Sequence, residues 1–241
     1  MFEAAFWGFV GGFSLLIGAL VGVYAGVSRR AIALIMAFGA GVLVSSVAFE
    51  LMDEAYRTGG FDAAAIGLLS GAAVFFFADR MVSRGGGERR KNPGDAQGGS
   101  AAAIAIGALL DGIPESAAIG ISLLEGGGIS AALVAAVFLS NVPEGLSSAS
   151  GMKQAGRSTA YILGLWSAVT LASAVAALLG YLFLAGAPED LVAGIQAFAA
   201  GAILTMLAST MMPEAYEEGG DVVGVVTSLG FLLAFILSKL E

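Results

Sequence analysis

Two pentapeptides, Asp111-Gly112-Ile113-Pro114-Glu115 and Ser140-Asn141-Val142-Pro143-Glu144, set carboxylates and prolines inside apolar runs long enough to cross a bilayer. A charge at the centre of a membrane helix costs about 2.5–3.5 kcal/mol even on lenient insertion scales. A chain that places Pro-Glu there twice, 29 residues apart, has a use for it. Asp111 and Glu115 share one helix face, and Ser140 and Glu144 repeat that spacing with Asn141 beside them. Pro114 and Pro143 lack an N–H, which frees carbonyls near Leu110 and Leu139. In lipid such carbonyls need a bound cation or water. Carboxylate, hydroxyl, amide and carbonyl oxygens together form the hard ligand set that divalent cations take. Gly112, Gly145, Ser116, Ser147 and Ser148 are small enough to let the two helices approach closely. The chemistry on offer is the passage of a cation at mid-membrane.

The elements that must position these groups follow from composition. Hydrophobic residues make up 58% of the 241 and charged residues 12%, and mean hydropathy is +0.89, outside the globular range. Eight apolar stretches can be marked, at 5–27, 31–52, 62–82, 100–124, 128–151, 158–186, 190–212 and 221–240. Each matches the ~30 Å hydrocarbon thickness at ~1.5 Å per residue. The chain reads as an all-α membrane protein, one transmembrane domain over 1–241: helices one to three in 1–82, a linker at 83–99, a central pair in 100–157 and helices six to eight in 158–241. The segment after Met1-Phe2-Glu3 has no basic leader and reads as a retained membrane helix.

Charge orients it. Arg29, Arg30, Arg84, Arg89, Arg90, Lys91, Lys153 and Arg157 fall in the odd-numbered connections, so the positive-inside rule puts both termini outside and the linker in the cytoplasm. The expected location is the plasma membrane. The basic run is explained as a topology determinant, and nothing points to nucleic acid. Cysteine is absent, so no disulfide forms.

An internal repeat organises the whole. Ala37-Phe38 to Gly59-Gly60 returns 160 residues later as Ala197-Phe198 to Gly219-Gly220, with 11 of 24 positions identical. These are the second and seventh helices, which cross in opposite directions, and the two Pro-Glu blocks lie on consecutive helices. The layout is three helices, a central pair, and three helices related to the first three by inversion, a recurring design of secondary transporters. Within it Glu50 lies towards the outer side and Glu214 towards the inner one, as entrance and exit groups or as carboxylates marking helix ends. Asp53 belongs with the entrance. Gln196 and Thr205 read as packing contacts. For each Pro-Glu the competing reading is a helix start at the interface; the apolar residues on both sides weigh against it.

With these blocks in view, the chain resembles the ZIP family of metal-ion transporters along nearly its whole length. The family's signature is a His-Asn-x-Pro-Glu-Gly block in helix four and a His- or Gln-led Pro-Glu-Gly block in helix five. They are matched here by Asp111 to Ser116 and Ser140 to Gly145, and the helix-seven pattern His-Glu-x-x-Pro-Glu by Ser209 to Glu214. The resemblance implies inward carriage of zinc, iron or manganese as transported substrate, with no prosthetic group, and a homodimer in the lipid bilayer. It gives Glu115 and Glu144 the metal-bridging positions, Asp111 that of the first histidine, Ser140 that of its helix-five counterpart and Asn141 a second-site ligand. This chain departs from the pattern in having no histidine, and Gly112 stands where the family has Asn. Loss of imidazole favours harder ions than zinc, or a weaker, less selective zinc site.

An enzyme is not expected. A membrane aspartyl dyad needs a second aspartate in a central helix, and neither His nor Cys is present for a nucleophile-base pair. No Walker A block occurs. The remaining alternative is a non-transporting membrane protein that senses metal or supports a partner.

Overall fold

The computed structural model describes residues 1–84, 101–124 and 129–240, with the backbone alone at 101–105. Its elements are α1 (Phe2–Tyr24), α2 (Arg29–Ser46), a π-helical turn (Val47–Met52), α3 (Asp53–Val82), α4 (Ala101–Ser122), α5 (Ala131–Gln154), α6 (Thr159–Leu184), α7 (Glu189–Met206), a second π-helical turn (Leu207–Met211), α8 (Met212–Gly219) and α9 (Val222–Ser238). No strand occurs among the described residues. Five helical runs there are long and apolar enough to cross a membrane: Phe2–Tyr24, Arg29–Val82, Ala131–Gln154, Thr159–Leu184 and Glu189–Gly219. This is an all-α membrane protein. Apart from Ser83 and Arg84, the linker expected at 83–99 lies outside the described residues, as do Arg89, Arg90 and Lys91.

Local signals start and stop these helices. Ser28, Ser130 and Ser158 sit in extended conformation before α2, α5 and α6, and each side chain accepts from an N–H three residues on: Ala31 at 3.3 Å, Leu133 at 3.1 Å and Tyr161 at 3.2 Å. The second and seventh helices do not stop near residues 52 and 212, as hydropathy alone suggests. Both pass through a π turn and continue to a glycine pair. Gly60 breaks α3 with φ 70° and ψ −174°, and Gly220 ends α8 with φ 68° and ψ −155°. That backbone region is essentially reserved for glycine. Gly60 has no neighbouring atom within 4 Å of where a Cβ would sit, so only strain opposes a side chain. Gly60→Ala is therefore expected to cost about 1–3 kcal/mol, read as a lower melting temperature in detergent.

The sequence repeat is thus also a repeat of local conformation, since both copies carry a π turn and a positive-φ glycine at matching places. Packing follows the same pairing. α3 lies on α7 and α9 on α2; α1 lies on α5 and α6 on α4; α1 and α6 meet each other. Glycines make these contacts close. A Cβ on Gly71 would stand 1.9 Å from the Phe198 carbonyl oxygen, and one on Gly230 2.0 Å from that of Phe38. Without a hydrophobic force between helices in lipid, such backbone approach is what van der Waals packing uses. The apolar core joins α2, α5 and α7 through Met36, Leu43, Val137, Ile203 and Met206, while Ile66, Leu69 and Phe77 of α3 and Val225 and Leu229 of α9 stay exposed on the outside.

Candidate metal path

Asp111, Glu115, Ser140, Asn141 and Glu144 are all buried, with between 1% and 5% of each surface exposed. α4 and α5 run as helix straight through Pro114 and Pro143. Each proline deletes one hydrogen bond without ending its helix, because flanking helices hold the path on both sides. Gly39 of α2 packs close beside one freed carbonyl, where a Cβ would stand 3.2 Å from the Leu139 oxygen.

The small residues of the two blocks do not clasp α4 to α5. Gly145 faces α1, where a Cβ would lie 2.1 Å from the Leu15 oxygen, and Gly112 faces α6, with Ser173 Oγ at 3.8 Å from its Cβ position. α4 and α5 touch each other at few points. Each is held instead by its own outer partner, which keeps the carboxylate-bearing helices slightly apart.

The polar groups are oriented from the side. Ser140 Oγ donates to the Val137 carbonyl at 3.0 Å, so its proton is committed and the oxygen is left to accept. Asn141 Nδ2 donates to the Gly11 carbonyl of α1 at 3.1 Å, which sets Oδ1 at the other end of the amide. Each group keeps an acceptor oxygen that a cation could use. Among the described residues no three Asp or Glu side chains converge closely enough to hold a metal ion by themselves. A cation here would need hydroxyl, amide or carbonyl oxygens beside the carboxylates.

The entrance and exit candidates separate. Glu50 lies in the first π turn and accepts from Ser130 Oγ, the cap of α5, at 2.9 Å. Gln196 Nε2 reaches the Glu50 carbonyl at 3.5 Å. Asp53 stands at the surface in an exposed pair with Arg57 at 3.4 Å. Its neighbour Glu54 is the residue that lines a cavity of about 250 Å³, with Thr58, Glu189, Val192 and Gln196. Glu214 lines a second cavity, about 20 Å³ and wide enough for about one water, with Arg29, Ile32, Met36, Ser147 and Glu218. Glu54, Glu189 and the role of Gln196 escaped the reading from hydropathy. Counting was the available signal, since a step of 160 residues pairs Glu214 with Glu54 and Glu50 with Thr210.

No model of a known protein family matches this chain, and no curated protein matches it.

Proposed function

We propose that the chain is a divalent-cation transporter of the ZIP type, carrying an ion of the zinc, manganese or iron class into the cytosol between α4 and α5. The observation that carries this reading is the set of buried oxygen-bearing side chains, Asp111, Glu115, Ser140, Asn141 and Glu144, on two neighbouring helices. Ionisable groups buried at membrane depth, as Asp111, Glu115 and Glu144 are here, are costly and mark ion pathways. In this reading eight helices cross in a three-two-three inverted arrangement. α3 is divided at Gly60 into an outer connection and a crossing, and α7 with α8 forms the counterpart of α2 together with the chain up to Gly59. Both termini lie outside, the metal arrives past Glu54 and Glu50, sheds water at Glu115 and Glu144, and leaves by Glu214. Movement of the outer helices against α4 and α5 opens the two ends in turn. A homodimer is implied by the resemblance alone.

The test is uptake of Zn²⁺, Mn²⁺, Fe²⁺, Co²⁺, Cd²⁺ and Mg²⁺ into proteoliposomes holding the purified protein, against empty vesicles. Uptake with carboxylate-favoured ions ranked above zinc is the expected result, and no uptake of any ion by folded protein would sink the proposal. Asp111→His, alone or with Gly112→Asn, returns an imidazole and an amide to α4; a Cβ at Gly112 meets only Ser173 Oγ, at 3.8 Å. Preference should then move towards Zn²⁺, and an unchanged ion ranking would mean that Asp111 is not a ligand.

A second reading is a protein that senses metal or supports a partner without transport. A metal-dependent rise in melting temperature with no flux would select it.

A further inference from the structure

The two cavities are related residue by residue. At the repeat distance of 160, Arg29 answers to Glu189, Ile32 to Val192, Glu54 to Glu214 and Thr58 to Glu218, and each member of a pair lines its own cavity. Some 25 residues of continuous helix separate Arg29 from Glu54, about 35 Å at ~1.5 Å per residue, so the cavities open at opposite ends of the bundle. They are one mouth built twice, with different chemistry at equivalent positions.

The difference lies in what crosses each mouth. At the end holding Glu214, Arg29 reaches two other elements: Nη2 donates to Gln154 Oε1 at the end of α5 at 3.2 Å, and Nη1 stands 3.5 Å from Glu218 Oε1 of α8. The guanidinium thus ties three helices together over the small cavity. At the other end its position is taken by Glu189 and that of Glu218 by Thr58, whose hydroxyl donates to its own helix at the Glu54 carbonyl, 2.8 Å away. Among the described residues no ion pair spans that larger mouth.

We propose that Arg29 is a latch on the inner mouth, so that the resting protein is shut towards the cytosol and open outside. This rests on the transport reading for the assignment of sides. With side chains 42% and 31% exposed, Arg29 and Glu218 form a pair that water and salt weaken. Such a pair biases an equilibrium by about two- to fivefold, enough to favour closure and weak enough to release in each cycle. A cation arriving at Glu214 competes with the guanidinium for the neighbouring carboxylate, which couples loading of the exit to its opening.

The chain has no cysteine, so one introduced thiol reports alone. Ser147→Cys puts it in the inner cavity, where the native residue is 5% exposed. In proteoliposomes its labelling by a charged thiol reagent should quicken about two- to fivefold on Arg29→Gln or Glu218→Gln, with no further gain when both are changed, and high salt should reproduce part of the effect. Unchanged labelling in both variants overturns the latch. So does an equal rise at Thr58→Cys in the outer cavity, which would mean general loosening. Metal uptake in the same vesicles separates the two proposals. Quicker labelling with no uptake keeps the latch and sinks transport, whereas uptake with unmoved labelling keeps transport and sinks the latch.

Discussion

With Glu115 and Glu144 both replaced by glutamine, metal uptake into proteoliposomes falls at least about tenfold at equal protein content, the loss expected when a charged partner worth about 1.5–3 kcal/mol is removed. Glutamine keeps the shape and one acceptor oxygen, and replaces the charge and the second oxygen with a neutral NH2 donor. On the transport reading, with Glu115 1% and Glu144 5% exposed, that charge is the main attraction for a cation. The double variant should keep its fold in the absence of metal while uptake falls. A purely structural role for the carboxylates would lower stability and leave the ion ranking untouched. Near-normal uptake in the double variant would remove α4 and α5 from the path altogether.

How much of this could be read in advance differs from element to element, for physical reasons. The helices announce themselves because lipid leaves the backbone no other way to satisfy its hydrogen bonds, so an apolar run of the right length is sufficient. Their ends were less legible. Met52 to Gly59 is polar, with Asp53, Glu54 and Arg57, and hydropathy reads it as a connection. It is helical because water-facing residues prolong a helix as readily as apolar ones until Gly60 turns the chain. The glycine pairs of the repeat carried that signal. The π turns at Val47–Met52 and Leu207–Met211 carry no composition of their own. A π turn is one residue too many for the α path, a matter of register that only packing decides. At the centre, the prolines were legible as missing donors but not as mild ones. α4 and α5 continue through Pro114 and Pro143 because α6 and α1 hold them, and those contacts join residues more than fifty apart. Glu115 and Glu144 needed only their setting in apolar sequence. Glu54 needed the repeat to be counted to the residue.

The repeat also predicts where the bundle is most easily broken. Gly71 and Gly230 do the same work, each pressing on the carbonyl of a phenylalanine, Phe198 and Phe38, that lie 160 residues apart. A Cβ at either position would come within 1.9 or 2.0 Å of a backbone oxygen, whereas contacts under 3.0 Å are not tolerated. The obstacle is main chain, which cannot turn aside as a rotamer can. An alanine at Gly71 must therefore push α3 from α7 by on the order of 1 Å, and van der Waals attraction falls steeply over such a gap. Lipid supplies no compensating hydrophobic force. Each of Gly71→Ala and Gly230→Ala should cost at or above the top of the ~1–3 kcal/mol range for overpacked cores, read as a large drop in melting temperature and loss of monodisperse protein in detergent. Gly164→Ala on α6 is the control, because nothing lies within 4 Å of its Cβ position. Alanine is the better helix former there by about 1 kcal/mol, so that variant should be as stable or more so. If Gly71→Ala melts like the unsubstituted protein, α3 does not lie on α7 as described, and the proposed inverted arrangement loses its physical basis. Equal damage at Gly71 and Gly230 beside a silent Gly164 would mean that both halves are held by the same backbone contact, made twice.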